Sequence, residues 1–167
     1  MSGVPTHARS AVRLTLQVLL LAAIGMAFFL RMPQVSGPSM LPRVSPGEVV
    51  LINTVAYHFG PIARGDVVAL RRDEPTAQTF LKRVVALPGE RVWLVGGMLY
   101  VDGRRVVEPY VSFPDARSTA PVTVPAGSLY VLGDNRTQSE DSRSWGPIPE
   151  RDVIGKALAG LWPPRRL

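Results

Sequence analysis

Ser39, inside Val35-Ser36-Gly37-Pro38-Ser39-Met40-Leu41-Pro42, is the first residue whose type and setting could do covalent chemistry. A serine hydroxyl attacks a carbonyl only when a neighbouring base takes its proton. The usual bases are scarce. The chain has no cysteine and two histidines, His7 and His58. A thiol nucleophile and a cysteine-based zinc site are excluded, and any Ser-His-Asp relay would rest on His58. Nor does Ser39 sit in a nucleophile elbow, which needs Gly where Leu41 stands. A Ser-x-x-Lys motif is absent too, because Pro42 fills the fourth place.

Lysine is the remaining base. Of the 19 basic side chains 17 are arginine, and the two lysines are Lys82 and Lys156. In an extended Phe80-Leu81-Lys82-Arg83-Val84-Val85, alternation puts Lys82 on the same face as Phe80 and Val84. If that face is the inner one, desolvation lowers the amine pKa and neutral amine becomes available near pH 7. Arginine cannot serve in this way, because a guanidinium stays protonated. By residue type alone, a serine between two prolines also reads as a turn residue, and Lys82 as an edge-strand lysine in solvent. Both alternatives stand at this point. The densest polar run is Val131-Leu132-Gly133-Asp134-Asn135-Arg136-Thr137-Gln138-Ser139-Glu140-Asp141-Ser142-Arg143-Ser144-Trp145-Gly146. So many short polar side chains suit either a loop packed against a site or an ordinary solvated loop with Asx turns.

Short strands must carry these residues. Val-rich runs between Gly and Pro breaks predict strands over 47–56, 65–70 and 79–86. Residues 91–95 and 98–101 flank Gly96-Gly97, a hairpin signal, and Asp102-Gly103 leads into 104–107. Residues 128–132 form another strand, 152–162 read as a strand or a short helix, and 108–126 read as a surface excursion. The C-terminal Trp162-Pro163-Pro164-Arg165-Arg166 reads as a short tail. Trp93, Trp145 and Trp162 read as partly buried core or as an apolar rim resting on a bilayer. The fold class is mainly β: a coiled antiparallel, barrel-like sheet domain preceded by one N-terminal transmembrane helix.

That helix is expected over 14–30, where Thr15 and Gln17 are the polar interruptions. Seventeen residues span about 25 Å as a helix, just enough for a bilayer core. A cleavable signal peptide would need a small-x-small site, and Ala27-Phe28-Phe29-Leu30-Arg31 offers none. Charge leaves the orientation open, since Arg9 and Arg13 on one side face Arg31 and Arg43 on the other. The net charge of +6 comes from arginines interleaved with acids, which reads as a solvated surface rather than a nucleic-acid footprint.

Four segments then carry a resemblance. Ser39-Met40-Leu41-Pro42, Arg64-Gly65-Asp66-Val67-Val68, Leu81 to Glu90, and Gly133-Asp134-Asn135-Arg136 through Asp141-Ser142-Arg143-Ser144-Trp145-Gly146 resemble, in order, the sequence boxes of type I signal peptidases. The resemblance implies a membrane-bound serine endopeptidase with a Ser/Lys dyad that removes signal peptides from exported preproteins and needs no cofactor or metal. By matching positions, Ser39 is the nucleophile and Lys82 the general base, while Ser139 orients the lysine amine. Arg83 with Asp134, and Asp141 with Arg143, are implied structural ion pairs. Met40, Val44, Phe80 and Leu81 are implied to line the substrate pockets. The main-chain N–H of Ser39 is one candidate oxyanion donor. Some relatives add a serine hydroxyl two places earlier, where this chain has Gly37, with Ser36 one residue further back. Arg43 replaces a usual threonine, and Thr137-Gln138 a usual Asp-Asn. The implied layout is a cytoplasmic tail over 1–13, the anchor over 14–30, and an extracytoplasmic peptidase domain over 31–167 with a small accessory β part at about 91–126. Implied partners are preproteins and the lipid bilayer, not nucleic acid. The alternatives are a specialised maturation peptidase of the same chemistry, and a non-catalytic, membrane-anchored β domain that binds extended peptide.

Overall fold

Valine- and leucine-rich runs bounded by glycine and proline become short strands in this computed structural model, which describes residues 12–21, 25, 29–71, 79–161 and 164–166. In chain order they are β1 (Leu30–Arg31), β2 (Val50–Asn53), β3 (Val67–Arg71), β4 (Thr79–Ala86), β5 (Arg91–Val95) and β6 (Met98–Val101). Then follow β7 (Arg104–Arg105), β8 (Val122–Thr123), β9 (Ser128–Leu132), β10 (Ile148–Pro149), β11 (Val153–Leu161) and β12 (Pro164–Arg166).

The larger sheet runs β1-β2-β11-β3-β4-β9-β10, with β12 folded back on β11, and every pairing in it is antiparallel. Among the described residues no pairing joins β1 to β10, so this is an open sheet rather than a closed barrel. The smaller sheet runs β7-β6-β5-β8. Its central hairpin turns at Gly96 and Gly97, both with positive φ (53° and 82°), the conformation that suits the twist of a two-residue hairpin.

β4 is an interior strand. It pairs with β3 over Thr79–Arg83 and with β9 over Arg83–Ala86. Both of its faces are covered, as its burial from Leu81 to Ala86 requires. On one face Leu81 packs with Met40, Val44, Ile52 and Val67. On the other, Val84 packs with Val68, Leu70, Val131 and Ile148, with Phe80 and Trp145 at the margin. Val85 and Ala86 join the core between the two sheets, with Leu94, Leu99 and Leu132. The solvent-facing alternative for Lys82 is removed by this placement.

Several expectations need correction. Residues 152–162 are resolved in favour of a strand, β11. The expected C-terminal tail instead supplies β12, with Gly160 opposite Arg165. The 108–126 excursion is not merely superficial: it contributes β8 and packs onto the hairpin so closely that a Cβ on Gly97 would lie 1.8 Å from the Asp115 carbonyl oxygen. Within the expected anchor, residues 14–21 and 25 are helical, and the helix already begins at residue 12, in the expected tail. Leu30 is not, because β1 pairs with Asn53 and Ile52 of β2 and the Phe29 carbonyl accepts the Thr54 N–H at 2.9 Å. Among the described residues no helix is long and apolar enough to cross a membrane. The expected tail up to residue 11, positions 22–24 and 26–28 of the expected anchor, and Trp162 lie outside the described residues.

Candidate active site

β4 delivers Lys82 to the sheet face that also bears Phe80 and Val84, and the side chain is 2 % exposed. Its Nζ lies 5.7 Å from the Phe80 ring centroid and 5.8 Å from that of Trp145, two rings in edge-on contact. Burial therefore lowers the Lys82 pKa from 10.5 to about 8; Asp141 and Glu140 pull it up, and Arg143 pushes it further down.

Ser39 comes from the irregular stretch between β1 and β2. Met40 and Val44 are wholly buried in the core, and the Val44 N–H bonds the Met40 carbonyl, so the turn bearing Ser39 is pinned from below. From the side, Asn135 clamps it. The Asn135 N–H donates to the Ser39 carbonyl at 2.9 Å and its Nδ2 donates to the Pro38 carbonyl at 3.2 Å. The outcome is a short contact: Lys82 Nζ donates to Ser39 Oγ at 2.9 Å. Among the described residues the Ser39 N–H has no acceptor.

The polar run from 131 to 146 folds against this pair. Asp134 accepts from Arg83 Nε at 2.8 Å and Nη2 at 2.6 Å, a buried two-pronged pair, and Arg43 Nε stands 4.0 Å from the same carboxylate. Asp141 caps the short helix Ser142–Trp145 and accepts from Arg143 Nε at 2.8 Å and from the Gly133 N–H at 3.0 Å. Burial pushes the Asp141 pKa up, yet these hydrogen bonds outweigh it and hold the carboxyl below its ordinary value. The Ser139 Oγ is buried, with no hydrogen-bond partner among the described residues. It rests on Gly133, where a Cβ would lie 2.2 Å from Ser139 Oγ and 2.6 Å from the Ser39 carbonyl oxygen.

A cleft opens beside Ser39, between residues 33–37 and 79–81, lined by Gln34, Ser36, Gly37, Thr79, Phe80 and Leu81 among others. The Val35 N–H and carbonyl are committed to Glu48 and Gly47. By strand alternation, the main-chain groups of Gln34 and Ser36 face the opposite way, into the cleft. Across it, residues 79–81 pair with β3 on one side while β9 begins to pair only at Arg83, so among the described residues no strand covers their other edge, where the Leu81 carbonyl accepts the Ser39 hydroxyl at 3.5 Å. Of the four residues assigned to substrate pockets, Phe80 and Leu81 lie on the wall, whereas Met40 (1 % exposed) and Val44 (0 %) pack beneath it with Leu81. Gln34 and Thr79 on the wall, and the clamp by Asn135, are absent from the residue-by-residue expectations. For Gln34 the proline-spaced run at 33–38 is the available signal.

The sequence profile of the family described as signal peptidase, peptidase S26, matches residues 8–162. The chain belongs to that family. Signal peptidase I of Leptolyngbya laminosa is 39 % identical over 136 residues, 77 % of this chain and 67 % of the relative. The probable signal peptidase I-1 of Synechocystis sp. is 36 % identical over 159 residues, covering 90 % of this chain and 81 % of that one. A crystal structure of signal peptidase I from Enterococcus faecalis aligns with a TM-score of 0.50 at 30 % identity, over 57 % of this chain and 95 % of the other. This signal peptidase family member is thus a hydrolase of the serine protease type, built on the antiparallel sheets described above.

Proposed function

We propose that this chain is a membrane-anchored endopeptidase that removes N-terminal signal peptides from exported preproteins, with Ser39 as nucleophile and Lys82 as general base. One observation carries the reading: the desolvated Lys82 amine lies 2.9 Å from Ser39 Oγ. With a pKa near 8, about a tenth of the amine is neutral at pH 7. That fraction takes the Ser39 proton as Oγ bonds to the scissile carbonyl carbon. The tetrahedral oxyanion forms beside the unengaged Ser39 N–H, with Ser36 and Gly37 on the adjoining wall. The Lys82 ammonium then returns the proton to the leaving amine, which departs as the mature protein. Water, deprotonated by the same lysine, hydrolyses the acyl-serine and releases the signal peptide.

The two open backbone edges of the cleft favour an extended substrate inserted as an added strand. Arg83–Asp134 and Asp141–Arg143 hold the loop that carries Ser139. The Ser139 hydroxyl makes no hydrogen bond to Lys82 here, so the orienting role assigned to it requires that bond to form during the reaction. Membrane attachment is supported by the helical residues 12–21, where Leu14, Leu16, Val18, Leu19, Leu20 and Leu21 are each 57–68 % exposed. The peptidase domain is assigned to the outer side and the N-terminus to the cytoplasm.

The test uses full-length protein in detergent micelles with a model preprotein. Wild type, Ser39→Ala and Lys82→Ala are compared and the new N-terminus of the product is sequenced. A single cut after a small residue, lost in both variants, supports the reading. Cleavage that survives either substitution overturns the dyad, and an inert wild type favours a peptide-binding domain instead.

A further inference from the structure

The excursion between β7 and β8 reaches three arginines of the polar segments around the site, each through a different side chain. The Tyr110 ring lies 4.2 Å from the Arg83 guanidinium carbon, Glu108 Oε1 accepts from Arg136 Nη2 at 2.6 Å, and Asp115 Oδ2 accepts from Arg143 Nη1 at 2.7 Å. Glu108 joins two of these contacts, because the Tyr110 hydroxyl also donates to its Oε1, at 2.6 Å. Arg136 is 1 % exposed, and Glu108 is the carboxylate in contact with it.

From Arg136 the connection to the nucleophile is short and covalent or hydrogen-bonded throughout. Arg136 Nε donates to the Gly133 carbonyl at 3.0 Å, and its N–H donates to the Phe113 carbonyl of the same excursion. The preceding residue is Asn135, whose N–H holds the Ser39 carbonyl. Gly133 is the residue on which Ser139 and the Ser39 carbonyl both rest. A buried guanidinium that loses its carboxylate must move toward solvent or leave its charge uncompensated, and the 133–136 turn moves with it.

We infer that Glu108 is a positioning residue for peptide cleavage: by holding Arg136 it fixes the turn that clamps Ser39 in reach of Lys82. The inference rests on the Ser39–Lys82 reading, and a Ser39→Ala control run in parallel tests that reading separately. Glu108→Gln is compared with wild type in micelles for kcat, KM and amide hydrogen exchange. The expected result is a loss in kcat of at least tenfold with KM within twofold, and exchange at the Asn135 amide at least tenfold faster. Glu108→Asp, which keeps the carboxylate, should recover much of the kcat. A folded Glu108→Gln with kcat within twofold of wild type overturns the inference, as does a loss confined to KM. If Glu108→Gln does not fold, Tyr110→Phe decides. It keeps the ring over Arg83 and removes only the hydroxyl that donates to Glu108. A threefold or greater loss of kcat supports the positioning role, and an unchanged kcat overturns it.

Discussion

Lys82 and Lys156 stand in one cross-strand row, each directly opposite Val68 of β3, yet their environments are opposed. Lys156 is 38 % exposed and paired with Asp66 at 2.6 Å. Lys82 is buried between two aromatic rings, and its amine meets a neutral hydroxyl. Directly opposed residues share a sheet face, so the difference comes from what covers each end of the row. β4 is walled by β9 and the short helix that bears Trp145, whereas at the β11 end, between β2 and β3, Lys156 keeps part of its side chain in solvent beside Asp66.

Activity should therefore follow the protonation of Lys82. In the proposed mechanism the neutral amine is the working form, so kcat/KM should rise with pH and level off above a midpoint near 8. Lys82→Arg keeps the charge but cannot lose its proton, and should cost about 10³-fold or more in kcat. Initial rates from pH 6 to 10 check both; a flat profile would remove Lys82 as the base.

The same burial makes Lys82 costly to the fold. Its pKa is about 8 in the folded state and 10.5 when exposed, so between these values the unfolded chain binds more protons and stability rises with pH. Below pH 8 the penalty is fully present, at about 3 kcal/mol. Lys82→Met should accordingly be inactive but more stable than wild type by about 2–3 kcal/mol at pH 7, with the gain shrinking by pH 10. Denaturant unfolding at the two pH values measures it.

Gly133→Ala should damage both stability and catalysis. A methyl there meets Ser139 Oγ, Ser139 Cβ and the Ser39 carbonyl oxygen, all inside 2.7 Å, and backbone cannot yield as a flexible side-chain tip does. Overpacking of this kind costs about 1–3 kcal/mol, and the displaced Ser39 should lower kcat more than it raises KM. Thermal melting with steady-state kinetics separates the two effects.

Asp134→Asn should leave Arg83 buried without its carboxylate, at a cost of about 3–5 kcal/mol. Replacing both partners, as Arg83→Met with Asp134→Leu, should recover much of that loss, because the desolvated charges go together. Urea unfolding of the single and double variants forms the cycle.

Gly37 offers a gain of function. A Cβ at this position meets nothing within 4 Å, and the residue lines the cleft together with Ser39. Gly37→Ser should fold normally and raise kcat by about three- to tenfold, a fraction of what a fully formed oxyanion donor contributes. A kcat at or below that of wild type would show that a hydroxyl there does not meet the oxyanion.

Much of this architecture is local and was legible in the chain. β4, β5, β6 and β9 lie where alternation and Gly-Gly or Pro-Gly punctuation place them, since a strand's period and its turns are properties of neighbouring residues. Ser39, Lys82 and the loop from 131 to 146 stood out by residue type: a serine without an available histidine, a lysine in a chain built on arginine, and a concentration of polar side chains. Which face of β4 becomes dry was not legible, because desolvation of Lys82 depends on β9 and Trp145 arriving from 46 to 63 residues away in sequence. Leu30 looked helical from its apolar neighbours and was drawn into β1 by a ladder to β2 that no local pattern encodes. The excursion at 108–126 looked like surface because its prolines and small polar residues carry no periodicity; Glu108, Tyr110 and Asp115 acquire their meaning only when Arg136, Arg83 and Arg143 are brought against them. Residue type and spacing marked Ser39 and Lys82 as candidates, the family resemblance assigned them as nucleophile and base, and long-range packing alone set the 2.9 Å between them and the dryness of the lysine, because distance and dielectric are properties of the assembled core.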